Sequence, residues 1–279
     1  MSYFSQIGED IDGEISSDHS GWSVSLSADG TIVAIGAIHN DGNGSDSGHV
    51  RIYKNINSSW SQLGQDINGE ASNDYSGYSV SLSADGTIVA IGAYGNDENG
   101  SNSGHVRVYK NIDSSWTQIG QDINGEALND QSGWSVSLSA NGNIVAIGAL
   151  YNDGSGNNSG HVRVYKNIDS NWSQIGQDIN GEAPFDQSGY SVSLSADGTI
   201  VAIGANYNDG NGNNSGHVRV YKNNNSIWSQ IGQDINGEAL IDYSSWSVSL
   251  SADGTIVAIG APYNDGQGTD LGQVRIYKN

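Results

Sequence analysis

The sequence predicts an all-β protein in which one four-stranded antiparallel sheet is repeated five times in a single domain spanning 1–279. Three observations carry this. First, the chain repeats every 56 residues with no insertion or deletion, as Gly21, Gly77, Gly133, Gly189 and Ser245 mark. Trp60, Trp116, Trp172 and Trp228 keep the same period, with Phe4 one period earlier. A period of this size is the signature of an array of supersecondary units. Second, each period holds segments that alternate apolar and polar residues, the period-2 pattern of a strand. Third, no segment shows a helical period.

The period beginning at Gly77 shows the elements in order. Tyr78-Ser-Val-Ser-Leu-Ser83 alternates and reads as the first strand. Ala84-Asp85-Gly86 turns tightly, since Asp-Gly favours a hairpin turn. Thr87-Ile-Val-Ala-Ile-Gly-Ala93 is apolar at both parities and short, the mark of a strand covered on both faces. A loop rich in Asn, Asp and Gly runs from Tyr94 to Ser103. Gly104 to Lys110 alternates again as the third strand, and Trp116 to Gly120 forms a short, polar fourth strand suited to an edge.

Such sheets repeated radially are the blades of a β-propeller, each buried against its neighbours. The expected blades are 21–64, 77–120, 133–176, 189–232 and 245–279. Residues 3–8 have the register of a fourth strand, so the sequence predicts a ring closed by their pairing with the last blade.

The run Ser-Gly-Trp/Tyr-Ser-Val-Ser, then Val-Ala-Ile-Gly-Ala, then Gly-His-Val-Arg-Val-Tyr resembles the FG-GAP repeat of integrin-α-type propellers. Gly260-Ala261-Pro262 supplies the GAP triplet literally, and Asp130 to Val136 is similar to the segment around the FG element, with Trp in place of Phe. The resemblance implies a propeller that binds or adheres, at an extracellular or surface location. Two departures stand out. Integrin-type propellers have seven blades, whereas this chain supplies five. Their Ca²⁺ loop joins the first two strands, where this chain has only the short Ala84-Asp85-Gly86 turn, so that metal site does not carry over.

Charge narrows the partners. Ten Lys and Arg stand against 31 Asp and Glu, a formal net charge of −21. Nucleic-acid binding needs cations facing phosphates, so no nucleic-acid partner is expected. No run approaches the ~20 apolar residues of a membrane span, and residues 1–6 lack the basic and apolar regions of a secretory leader. The expected state is a monomer that meets a glycan or a protein surface. The chain has no cysteine, which removes disulfides, thiolate nucleophiles and Cys-based metal sites.

In a four-stranded meander the loops after the second and fourth strands share one face. Both loop sets are acidic, and both hold the positions where the repeats differ most, such as Leu128-Asn129, Pro184-Phe185 and Leu240-Ile241. Variable loops on a uniform scaffold are a usual place for recognition; drift of unconstrained loops is the alternative. The pattern Asp-x-Asn-Gly-Glu-x-x-x-Asp recurs in these loops and supplies candidate Ca²⁺ ligands, because that ion takes six to eight oxygen ligands from flexible loops. They are Asp10, Asp12, Glu14 and Asp18; Asp66, Asn68, Glu70 and Asp74; Asp122, Asn124, Glu126 and Asp130; Asp178, Asn180, Glu182 and Asp186; and Asp234, Asn236, Glu238 and Asp242. The competing reading is that these residues make turns with their own backbone. A second acidic set, Asp41, Asp97, Asp153, Asp209 and Asp265, follows the second strand.

Trp22, Tyr78, Trp134, Tyr190 and Trp246 open the first strands, and Tyr151, Tyr207 and Tyr263 follow the second strands. These are the candidate ligand-stacking residues, with core packing as the alternative. His49, His105, His161 and His217 share a column with Gln273, which reads as a hydrogen-bonding position. Fivefold repetition of each acidic residue argues against a single acid–base pair, which needs two unlike environments. The sequence therefore predicts a non-enzymatic binding propeller, possible Ca²⁺ aside with no cofactor. The other classes are a purely structural module and, third, a propeller hydrolase or lyase.

Overall fold

A computed structural model describes residues 3–266 and 268–279. The chain is all-β, a propeller of five blades. In the second blade the strands are Ser79–Leu82, Ile88–Ala93, His105–Ile112 and Ser115–Gln118, each antiparallel to the next. A two-residue strand that sequence reading missed, Ile123–Asn124, lies beyond them and pairs with Val106 and His105. It is the linker running back along the third strand. The first, third and fourth blades repeat this order. The last blade has three strands, Ser247–Leu250, Ile256–Ala261 and Gln273–Lys278.

The core lies between blades. Ala34, Val50, Ile52 and Ile67 of the first blade meet Leu82, Val89 and Ile91 of the second. The next seams repeat this set, with Val106 and Val108 against Leu138, and Val162 and Val164 against Leu194. Small residues bring the sheets close. A Cβ on Gly36 would stand 2.1 Å from the Gly77 carbonyl oxygen, and one on Gly92 the same distance from that of Gly133.

The serines that alternate with these apolar residues fasten the seams. Leu82 N–H donates to Ser25 Oγ and Leu138 N–H to Ser81 Oγ, both at 2.9 Å. Ser79 Oγ donates to the Gly133 carbonyl at 2.8 Å. Along the turns after the first strands, Ala28 N–H reaches Ala84 O, Ala84 N–H reaches Ala140 O, and the ladder continues to Ala252. The tryptophans bolt the outer part of each seam. Trp116 Nε1 donates to the Leu63 carbonyl at 2.7 Å, while Gln65 clamps the Trp116 backbone through N–H and C=O.

The predicted closure does not form. Residues 3–8 are not a strand of the last blade. The segment does make the contact that a fourth strand makes with the blade after it: Trp60 Nε1 donates to the Ile7 carbonyl at 2.8 Å. The physical reason is the seam itself, which fixes the step from blade to blade. Four such steps leave the last blade away from the first. Val24 and Leu26 are 65% and 59% exposed, although Leu82, the copy of Leu26, is 7% exposed. At the other end Val274 and Ile276 are 69% and 70% exposed, where Val106 and Val108 are buried.

Candidate functional site

The face bearing the loops after the second and fourth strands carries three features. The first is a crescent of aromatic rings. Trp22, Tyr78, Trp134, Tyr190 and Trp246 enter the first strands at the inner edge of each blade, so consecutive rings meet across the seams. Their centroid separations are 5.6, 4.5, 5.9 and 5.1 Å. Tyr94 extends the crescent by packing on both Tyr78 and Trp134, and Tyr263 packs on Trp246. Tyr207 meets Tyr243, which meets Tyr263. Tyr151 is partly buried and belongs to no ring pair among the described residues. Trp22 and Trp246 are about half exposed at the two ends. Burial pushes the Tyr190 hydroxyl up to about 12, with neighbouring tyrosines adding to the effect; Tyr78 is raised further for the same reason.

The second feature is the tip of each linker. Phe185 and Ile241 are exposed yet sit at φ 70° and 64°, the left-handed region where Asn73 and Asn129 stand in other repeats. A bulky or β-branched residue there is strained. Such strain persists where the surroundings impose it and often accompanies function. Leu128 and Leu240 beside these positions are also exposed.

The third feature divides the Asp-x-Asn-Gly-Glu-x-x-x-Asp residues into separate tasks. Asp18, Asp74, Asp130, Asp186 and Asp242 are buried. Asp74 Oδ2 accepts from Glu70 N–H, Ala71 N–H and Asn96 Nδ2, and its copies behave alike. Asp66 takes a hydrogen bond from Gln62, as Asp10 does from Gln6, and Asp122, Asp178 and Asp234 repeat the pairing. The backbone carbonyls of Asp12, Asn68, Asn124, Asn180 and Asn236 accept from Arg51, Arg107, Arg163, Arg219 and Arg275. Glu14, Glu70, Glu126, Glu182 and Glu238 pair with the same arginines. In the second acidic set, the side chains of Asp41, Asp97, Asp153, Asp209 and Asp265 each accept a backbone N–H five residues on.

What the structure does bring together is a carboxylate from one linker, a carboxylate from the next, and the histidine beneath them. Glu70, His105 and Asp122 offer atoms within 4.8 Å of one another, as do Glu14–His49–Asp66, Glu126–His161–Asp178 and Glu182–His217–Asp234. His105 Nδ1 is fully buried, has no hydrogen-bond partner among the described residues, and lies 3.8 Å from Glu70 and 4.0 Å from Asp122. Burial first, then the Arg107 charge, pushes the His105 ring down to about 4, so it is neutral at pH 7. A neutral imidazole and two carboxylates form a donor set for a divalent cation. Sequence reading missed the grouping because its members are far apart in the chain. The usable signal was that all three columns recur with every histidine, whereas Gln273 stands in the last repeat.

Five sheets of FG-GAP pattern, joined by serine-fastened seams and carrying their loops on one face, define a repeat propeller. The FG-GAP repeat model matches residues 12–53, 68–109, 124–165 and 180–221, more than half of the chain, and the chain belongs to that family. No curated protein matches it in sequence. Among solved structures it is similar to the periplasmic gluconolactonase PpgL of Pseudomonas aeruginosa, with a TM-score of 0.58 and 18% identity over 91% of this chain and 70% of that one. It is also similar to the hydrazine synthase of Kuenenia stuttgartiensis, with a TM-score of 0.59 and 13% identity over 97% of this chain and 67% of that one. At these identities the likeness is one of fold.

Proposed function

We propose that this propeller is a non-catalytic recognition module that binds a glycan through its aromatic crescent, with the linker tips gripping the ligand's periphery. The observation that carries the reading is the unbroken contact of Trp22, Tyr78, Trp134, Tyr190 and Trp246 across four seams. Aromatic rings offer sugars flat apolar faces with a polar edge. Exposed apolar tips at strained backbone, Phe185 and Ile241, add contact area on the same face. Immobilised neutral oligosaccharides followed by calorimetry with any that bind provide the test. Trp22→Ala and Trp246→Ala are expected to weaken binding about tenfold each, which corresponds to roughly 1.4 kcal/mol. Binding that both variants leave intact would move the ligand off the crescent.

Divalent cations belong to this reading as ordering elements. The four Glu–His–Asp groups suit a cation that accepts imidazole, such as Zn²⁺, better than Ca²⁺, which prefers oxygen alone. Titration with each cation alone is expected to give up to four Zn²⁺ per chain and, with His105→Gln, one fewer.

A hydrolytic reading stands second because two neighbours in fold are named a gluconolactonase and a putative 6-phosphogluconolactonase. The carboxylate–histidine group recurs in four blades, and its repetition favours like sites over a single catalytic centre, although the Glu70–His105–Asp122 group alone also gathers Glu98 among the described residues. Gluconolactone is expected to hydrolyse no faster with the protein than in buffer. Turnover abolished by one substitution would reverse the order of the two readings.

A further inference from the structure

The last seam leaves one seat unoccupied among the described residues, and Phe4 to Gly8 belong to no sheet. At the first three seams a tryptophan of the later blade closes the outer slot. A Cβ on Gly64, Gly120 or Gly176 would stand 2.8, 2.9 or 2.7 Å from the Cδ1 of Trp116, Trp172 or Trp228. At the last seam a Cβ on Gly232 would meet nothing within 4 Å. A pocket of about 220 Å³ lies there, lined by Val220, Ile231, Gly232, Leu250, Val257 and Tyr277 among others. Gln233, whose copies clamp a tryptophan backbone, makes no such clamp among the described residues.

The segment is at the other end. Phe4-Ser-Gln-Ile-Gly8 repeats Trp228-Ser-Gln-Ile-Gly232 with Phe for Trp. Phe4 is fully exposed. The faces flanking seat and segment also match. Val24 and Leu26 copy Val80 and Leu82, while Ala258, Val274 and Ile276 copy Ala34, Val50 and Ile52, the residues on which Val80 and Leu82 pack.

We propose that residues 4–8 of a second copy of this chain dock as the fourth strand of the last blade, with Phe4 in the pocket. The register follows from the fourth blade, where Lys222 faces Ser229 and Tyr221 faces Gln230. One period on, Lys278 faces Ser5 of the second copy and Tyr277 faces its Gln6. The second copy's first blade then takes the place of a sixth blade, and its Val24 and Leu26 cover Val274 and Ile276. The contact is heterologous: a pair still presents one open seat and one exposed Phe4, so association does not stop at a symmetric pair. Two chains of net charge −21 repel, and salt screens that repulsion, so association strengthens as salt is added.

The chain has no cysteine, so one engineered pair reports the contact directly. The double variant Ser5→Cys/Lys278→Cys, oxidised under native conditions, is expected to give intermolecular disulfides. Dimers and longer species would appear on a non-reducing gel, would increase with protein concentration, and would vanish when Phe4→Asp is added. Opposed strand positions meet the Cα separation that a disulfide requires. A disulfide formed within one chain would overturn the proposal in favour of self-closure. Absence of any disulfide would overturn the seat itself. Sedimentation of the unmodified chain is the second readout, and Phe4→Asp is expected to weaken association at least tenfold while leaving the circular dichroism unchanged. Equal sedimentation of the two would also overturn it.

Discussion

A single side chain in this protein is worth what its seam makes of it. Leu26 and Leu82 occupy the same position one period apart, yet one is exposed and the other buried. Leu82→Ala is expected to cost about 2–4 kcal/mol, in the range of buried leucines. Leu26→Ala should stay within about 0.5 kcal/mol, as for surface positions. Urea unfolding of the two variants makes the comparison. Ile241 poses the opposite case, since its φ of 64° suits the Asn found at the matching position of other repeats. Ile241→Asn is expected to stabilise by about 1 kcal/mol through relief of backbone strain, while weakening ligand binding. Histidine protonation sets the acid limit. His105, His161 and His217 are held down to about 4 by burial and the adjacent arginines. The unfolded chain therefore binds more protons between pH 6.5 and 4, and stability falls as pH drops through that window. Melting temperature measured from pH 7.5 to 4.5 should decline, and should decline less in a variant with all three changed to Gln.

Strands and loops divide the protein into a part that is plain in the sequence and a part that is not. The first three strands of each full blade could be read from Ser-Val-Ser-Leu, Ile-Val-Ala-Ile-Gly-Ala and His-Val-Arg-Val/Ile-Tyr because residue pattern is a local property. Seam chemistry is not local. The serines read as small spacers, but Ser81 Oγ accepts the Leu138 N–H one blade away. Ser81→Ala is expected to cost about 1–3 kcal/mol by orphaning that donor, a loss that thermal or urea unfolding would register. The Ile123–Asn124 strand is too short for any periodicity to reveal. The Glu–His–Asp groups needed knowledge of which linkers converge on one third strand, and ring closure depended on the step between blades, which no residue pattern encodes. The aromatic column was legible as a column; its continuity across seams was not.

Taken as a whole, the propeller is a row of nearly equal units, each touching only its neighbours. Stability in such arrays is close to a sum of unit and seam terms. The end blades have one seam each, so amide exchange should be slowest in Ile144–Ala149 of the middle blade and fastest, among second strands, in Ile256–Ala261. Appending one further repeat after residue 279 should raise the melting temperature by covering Val274 and Ile276, each worth about 1.5–3 kcal/mol if fully buried. The sameness of the seams has a cost during folding. A first strand such as Ser191–Leu194 finds almost the same partner surface on any blade, so a chain that pairs its units out of order meets little energetic correction. Correct order is then enforced by the short linkers, which make the neighbouring unit the nearest one. Lengthening a linker would remove that kinetic preference and leave the chain with several near-isoenergetic ways to be wrong.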